Sequence, residues 1–331
     1  MKPVIAVTIG DFNGIGPEVS LKAALHPAVR RVCLPLLVGP LNIFEHECRR
    51  LRIKTAIGKA SLPLLSHSGL MVFDVGDGIF ADVHYGKVSK SAGKNAGTAI
   101  ERAVDLCMRK KVDAMVTAPA SKEALQLAQF HFPGQTEMVA LLSRSAHVAM
   151  MLVSNKLRVG LVTIHTSLRS VADQITKEKI VEKISVVHDA LVRDFRIPRP
   201  RIAVLALNPH AGEHGLMGTE DDQIVGPAVE QARSRFPQTE GPFPSDAFFG
   251  NAGHKKFDAV VAMYHDQGLI PLKMASFGKA VNYSAGLNIV RTSPDHGTAY
   301  DIAGKNKASM TSMVEAMKLA VLISKNRGEG D

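Results

Sequence analysis

The sequence predicts an α/β protein with open, mostly parallel sheets, and three observations carry that expectation. Short apolar runs alternate with helix-like segments along the chain, the order in which strands and helices follow one another in layered α/β folds. The runs are built from Val, Ile, Leu, Ala and Met with little polar alternation, as in strands buried on both faces of a parallel sheet. The length of 331 residues suits two domains better than one, since single cores stop growing at about 250–300 residues.

Strands are expected at Val4–Ile9, Leu36–Gly39, Met71–Val75, Ala114–Ala118, Val148–Val153, Val159–His165, Ile202–Asn208 and Ala259–His265. Helices are expected at Pro17–Leu25, Gly97–Lys110, Ser121–Ala128, Thr136–Ser143, Lys177–Phe195, Asp221–Phe236 and Met310–Lys325. Pro17 suits the first turn of a helix, where its missing N–H costs nothing. Within Lys177–Phe195, Ile180, Ile184, Val187, Leu191 and Phe195 recur at three- and four-residue steps, one helical stripe. The stretch Pro237–Ser245 reads as an ordered excursion inside a domain. There is no internal repeat and no low-complexity linker.

Composition excludes several classes. With 46% hydrophobic and 21% charged residues, disorder, collagen and coiled coil are ruled out. No apolar run approaches the roughly 18 residues of a membrane helix. The opening apolar stretch stops at Gly10-Asp11, too short for a signal peptide. The three cysteines, Cys33, Cys48 and Cys107, form no CxxC pair and no disulfide framework. A cytoplasmic location is expected. The net charge of +9 invites nucleic acid. The basic residues form only isolated doublets, however, and there is no Trp and only four Tyr to stack on bases. A small anionic substrate explains the excess as well.

In open α/β sheets, ligands gather beyond the carboxyl ends of the strands. Three expected strands run out there into a histidine, at or just past the strand end: His165, His210 and His265. Three neutral imidazoles can hold a divalent metal and leave positions open for substrate. For any one of them, a strand-capping histidine bonded to backbone is the plainer reading; the recurrence favours the metal. Asp266, beside His265, is placed to orient an imidazole or to be an ordinary turn carboxylate.

Lys273, Asn282 and Arg291 follow within thirty residues of His265. Arginine offers a bidentate clamp for an anion and lysine a point charge; each alone is more often a surface group. Gly134-Gln135-Thr136-Glu137 opens a helix, where free N–H groups and the Thr136 hydroxyl suit a phosphate or make a simple N-cap. The first turn, Gly10–Glu18, is glycine-rich but is not GxGxxG.

Six motifs in order give the chain a resemblance to the 4-hydroxythreonine-4-phosphate dehydrogenase family of pyridoxal phosphate biosynthesis. They are Gly10–Glu18, Pro133–Glu137, Leu207–Glu213, Gly241–Asp246, Met263–Gly268 and Arg291–Gly297. The stretch His296–Gly304 also looks like the cofactor loop of isocitrate and isopropylmalate dehydrogenases. The resemblance implies the isocitrate/isopropylmalate-dehydrogenase-like fold, with two α/β/α domains and an active-site cleft between them. It divides the chain into 1–132 plus 286–331 and 133–285, the second carrying most metal and substrate residues.

By this resemblance the enzyme oxidises 4-phosphohydroxy-L-threonine with NAD, or NADP, to 2-amino-3-oxo-4-phosphooxybutanoate, which decarboxylates to 3-amino-2-oxopropyl phosphate. His165, His210 and His265 would hold one divalent metal per site (Zn, Mg, Co or Mn), one of the three coming from the partner chain of a homodimer. Gln135, Thr136, Lys273, Asn282 and Arg291 match substrate positions. Lys273 and Asp266 are the candidates for proton transfer, and His296, Gly297 and Asp301 for cofactor contact. Nucleic acid and membrane are not expected partners.

Two motifs depart from the family's usual pattern. The chain has Gln135 where Gly-His-Thr-Glu is usual, and Gly-Asp-Phe-Asn-Gly where Gly-Asp-Pro-Ala-Gly is common. Gln135 donates hydrogen bonds but carries no charge, which keeps open a sister activity on 4-phospho-threonate or 4-phospho-erythronate. A metal-dependent phosphoesterase on the same histidines would instead release phosphate without NAD.

Overall fold

The structure, a computed structural model, describes residues 2–62, 69–76 and 82–328. Contacts divide the chain into two compact units, one made of residues 1–145 and 287–331, the other of residues 146–286. The helix Gln135–Leu142 thus lies in the first unit, whereas the sequence placed it at the start of the second domain.

Twelve strands are described. The first six are β1 (Val4–Thr8), β2 (Leu34–Gly39), β3 (Ile57–Lys59), β4 (Leu70–Asp74), β5 (Ala114–Val116) and β6 (Ala149–Val153). The rest are β7 (Arg158–Leu161), β8 (Ile202–Leu205), β9 (Thr239–Phe243), β10 (Ala259–Ala262), β11 (Val281–Ala285) and β12 (Arg291–Pro294). In the first unit they are ordered β3-β4-β2-β1-β5-β12, and every pairing is parallel. In the second unit the order is β11-β6-β7-β10-β8-β9. There β7, β10, β8 and β9 pair in parallel, while β6 runs antiparallel to both β7 and β11.

The buried character of the runs explains the parallel core. Ile5, Val7, Leu36, Leu37 and Val38 have no exposed surface, and a strand covered on both faces has no reason to alternate. In the second unit, Leu161, Ala203, Leu205, Val260, Ala262 and Leu272 belong to one apolar cluster. Polar residues capped by glycine or proline hide the strands that the sequence reading did not single out. β9 contains Gly241-Pro242 in cis and lies in the Pro237–Ser245 excursion; β11 and β12 carry Asn282, Ser284, Arg291 and Ser293.

Two helices illustrate how boundaries moved. The helix expected from Gly97 starts at Lys90 and runs to Met108, with the Ser89 hydroxyl accepting from Ala92 N–H. Its glycines are packing residues: a Cβ on Gly93 would lie 1.8 Å from the Ala124 carbonyl oxygen, and one on Gly97 2.3 Å from the Phe130 ring. The helix expected over Asp221–Phe236 begins as a π-helical turn, Asp221–Val225, and continues as Gly226–Arg235. Helices Pro27–Val32, Leu41–Arg50 and His265–Ser276 were not singled out from the sequence.

The three cysteines are free and buried. Among the described residues, no helix is long and apolar enough to cross a membrane.

Candidate active site

The three strands expected to lead into these histidines are shorter than the sequence suggests. β7 ends at Leu161, β8 at Leu205 and β10 at Ala262. The distance travelled after each strand decides which histidines meet. β7 and β10 pair with Leu161 opposite Ala262, and their exits stay joined because Thr163 donates both N–H (3.1 Å) and hydroxyl (2.7 Å) to the Met263 carbonyl. His165 and His265 each follow two residues later, and their ring centroids lie 6.0 Å apart with a 42° tilt. On the other side of β10, Val204 pairs with Val261, so counting forward brings Asn208, not His210, level with His265.

His210 instead lies on an unusual turn. Every residue from His210 to Gly215 has positive φ, between 44° and 90°. Left-handed backbone costs about 1–2 kcal/mol per non-glycine residue, and such strain gathers at functional sites. The buried Asp221 carboxylate takes Leu207 N–H at 2.7 Å and Asn208 N–H at 2.9 Å, and Glu220 takes the Asn208 amide at 2.9 Å. His165 and His210 are exposed and His265 is half-buried. Among the described residues, no group of three or more His, Cys, Asp or Glu side chains is arranged to hold a metal.

His265 opens the helix His265–Ser276, and its Nδ1 lies 2.6 Å from Asp266 Oδ1. An ionised carboxylate there favours the proton on Nδ1 and so a lone pair on Nε2, the atom a divalent metal takes. The donor chemistry of the pair therefore fits a metal. Lys273 is exposed two turns along the same helix. Asn282, on β11, keeps a buried Oδ1 with no hydrogen-bond partner.

The first unit gathers a second group of candidates. Arg291, 2% exposed on β12, donates from Nε and Nη2 to Thr117 Oγ1 at 3.1 and 2.6 Å. It also donates to Thr136 Oγ1 and to Gln135 Oε1, both at 3.2 Å. Burial pulls its pKa down to about 10, while Glu137 favours the charged form. Gly134 is the N-cap of the helix Gln135–Leu142, so Thr136 is not the cap; its hydroxyl serves Arg291. Thr117 was missed by the sequence reading, although it belongs to the run Ala114–Ala118.

The cofactor candidates lie on a loop anchored to the first turn. Thr298 O accepts from Ile15 N–H at 3.0 Å, and Tyr300 donates to Asp11 Oδ2 at 2.7 Å. Burial raises the Asp11 pKa against the hydrogen bonds from Tyr300 and from backbone N–H groups, that of Asn13 among them. Further along, Arg50 donates to Gly304 O at 2.8 Å and Ala308 N–H to Glu18 Oε1 at 3.0 Å. His296 keeps a buried Nε2 with no hydrogen-bond partner, and a Cβ on Gly297 would meet nothing within 4 Å. An orphaned imidazole nitrogen beside open space fits a polar cofactor. Asp301 is exposed and its carbonyl accepts from Lys305.

A mostly parallel α/β chain with an imidazole pair and a buried arginine cluster has the parts of an enzyme acting on a small anion. Residues 31–320 match the family described as pyridoxal phosphate biosynthetic protein PdxA, and the chain belongs to that family. It is 42% identical over 324 residues to a 4-hydroxythreonine-4-phosphate dehydrogenase from Desulforapulum autotrophicum, covering 97% of this chain and 95% of that one. It is also 42% identical over 328 residues to a D-threonate 4-phosphate dehydrogenase from Cupriavidus necator, covering 98% of each. The crystal structure of a 4-hydroxythreonine-4-phosphate dehydrogenase from Klebsiella pneumoniae has a TM-score of 0.87 at 40% identity, over 98% of each chain.

Proposed function

We propose that the protein is a dehydrogenase that oxidises 4-phosphohydroxy-L-threonine with NAD in a divalent-metal-dependent reaction. The observation that carries the reading is the matched exit of His165 and His265, with Asp266 Oδ1 2.6 Å from Nδ1 of one of them. Family membership supplies the substrate class.

His165, His265 and His210 would hold the metal, with His210 offered by a second copy of the chain in a homodimer. A metal so held supplies Lewis acidity at the oxygen of the carbon being oxidised, and NAD supplies the hydride acceptor. Arg291, kept in place by Thr117, Thr136 and Gln135, presents a fixed cation to the substrate's phosphate. Asn282 offers its unsatisfied Oδ1 to a substrate donor. Lys273 holds a substrate anion or moves a proton, and Asp266 holds the Nδ1 proton of His265. His296, Gly297 and Asp301 are the proposed cofactor contacts. Three buried, unpaired thiols suit a cytoplasmic enzyme.

Gln135 supports a second reading, a 4-phospho-threonate or 4-phospho-erythronate dehydrogenase. Its Oε1 is engaged by Arg291 at 3.2 Å, and it brings no charge to the substrate. NADH formation from the amino substrate and from 4-phospho-threonate, with and without chelator, decides between them. Chelator-sensitive turnover of the amino acid supports the first reading. Turnover of the hydroxy acid alone supports the second, and release of phosphate without NADH overturns both.

A further inference from the structure

One buried amide ties the strand exits that lead to two of the three histidines. Gln267 is 9% exposed. Its Oε1 accepts from Met263 N–H at 2.6 Å, and its Nε2 donates to Ala206 O at 2.6 Å and Ser245 Oγ at 2.8 Å. The amide thereby uses its carbonyl and both N–H donors on three separate segments. Met263 is the first residue beyond β10, two before His265. Ala206 is the first beyond β8, four before His210. Ser245 opens the helix that follows β9.

The position of the bridge matters because the ladder has ended there. The β8–β10 register runs from Ile202–Ala259 to Val204–Val261. Beyond it Ala206 N–H turns to the Phe243 carbonyl of β9, and Gln267 is what spans from Ala206 O to Met263 N. On the far side of β10, the Met263 carbonyl is taken by Thr163 at 2.7 and 3.1 Å, two residues before His165. Met263 is therefore gripped from both sides at the level where the histidines are launched.

We infer that Gln267 is a positioning residue for the metal centre: it fixes the exit of β8 against that of β10, and so sets where His210 and His265 are presented. The inference rests on the proposed metal role of the three histidines. Ligand sets tolerate only about 0.5 Å of misplacement, and residues that hold ligands in place typically change metal affinity by about 10–100-fold when lost.

The test uses the full chain, stripped of metal, with Zn2+ or Mn2+ titrated by calorimetry and folding followed by circular dichroism. Gln267→Met keeps the volume and removes all three hydrogen bonds; the expected result is a folded protein whose Kd for the metal rises at least about tenfold. A residue that only held the core together would lower the melting temperature of the metal-free protein and leave Kd, read well below melting, where it was. A Kd within about twofold of wild type overturns the inference. Ser245→Ala removes a single acceptor and is expected to raise Kd by a few-fold; should Gln267→Met not fold, an unchanged Kd in Ser245→Ala overturns the inference. Wild-type protein that binds neither ion overturns the metal reading and this inference with it.

Discussion

His165 and His265 each stand two residues past a single hydrogen-bonded point, the Thr163–Met263 pair, and their rings are 6.0 Å apart. Parallel strands in register make that coincidence: equal offsets from paired residues land side chains side by side. His210 is out of step, held on a left-handed turn.

The proposed donation of His210 to the partner chain of a dimer has a sharp consequence. His210→Ala and His265→Ala are each expected to fold and to lose metal-dependent turnover. Mixed after dissociation and reassociation, they recover roughly a quarter of wild-type activity, because half the dimers are hybrids and each hybrid carries one intact site. Activity is measured as NADH formation. A mixture as dead as its parents would place all three histidines in one chain's site or remove them from it.

Arg291→Lys keeps a positive charge but loses the planar fork that reaches Thr117, Thr136 and Gln135 together. KM for the phosphorylated substrate is expected to rise at least about tenfold, with a smaller change in kcat. Steady-state kinetics checks the split.

Tyr283 is fully buried and donates its hydroxyl to the buried Asp194. Tyr283→Phe leaves that carboxylate without one donor, with Arg193 still bonded to it. The expected loss is about 1–3 kcal/mol of stability, read from chemical denaturation.

Asp74 supplies a pH-dependent contribution. Burial alone would raise its pKa, but Lys59 at 2.9 Å and the N–H groups of Leu41 and Gly76, both at 3.1 Å, hold it below the ordinary 3.8. A lowered carboxylate stabilises the fold above the unfolded value and loses that contribution as pH falls through the folded one. Asp74→Asn should therefore cost about 1 kcal/mol at pH 7. Its melting temperature should approach wild type as the pH drops below 3.8. A deficit unchanged at low pH would assign the loss to shape and not to charge.

The α/β class was legible because its strands are apolar throughout: Val4–Thr8 and Ala259–Ala262 could hardly be anything else. Strands that end a sheet unit or carry site residues were not. β12 reads Arg-Thr-Ser-Pro and β9 contains Gly-Pro, so their place in the sheet comes from neighbours. The helix expected from Gly97 begins about two turns earlier, and Gly93 and Gly97 are close-packing points within it. The histidines were visible as strand-end residues, but which of them meet depends on register, a long-range property. Gln267 and Asp221 drew no attention because their work is to hold backbone.

The first unit is assembled from residues 1–145 and 287–331. β5, beside the β1 strand that opens the chain, receives β12 as its other neighbour only after the whole second unit has been made. The helix Thr311–Gly328 then packs over β5 and β12. During synthesis the order of completion is therefore inverted. The contiguous unit 146–286 is able to close while its elder still shows an open sheet edge and an uncovered apolar face, which are sticky surfaces for a nascent chain. A released chain truncated after residue 286 should carry a protease-resistant second unit and a vulnerable first one.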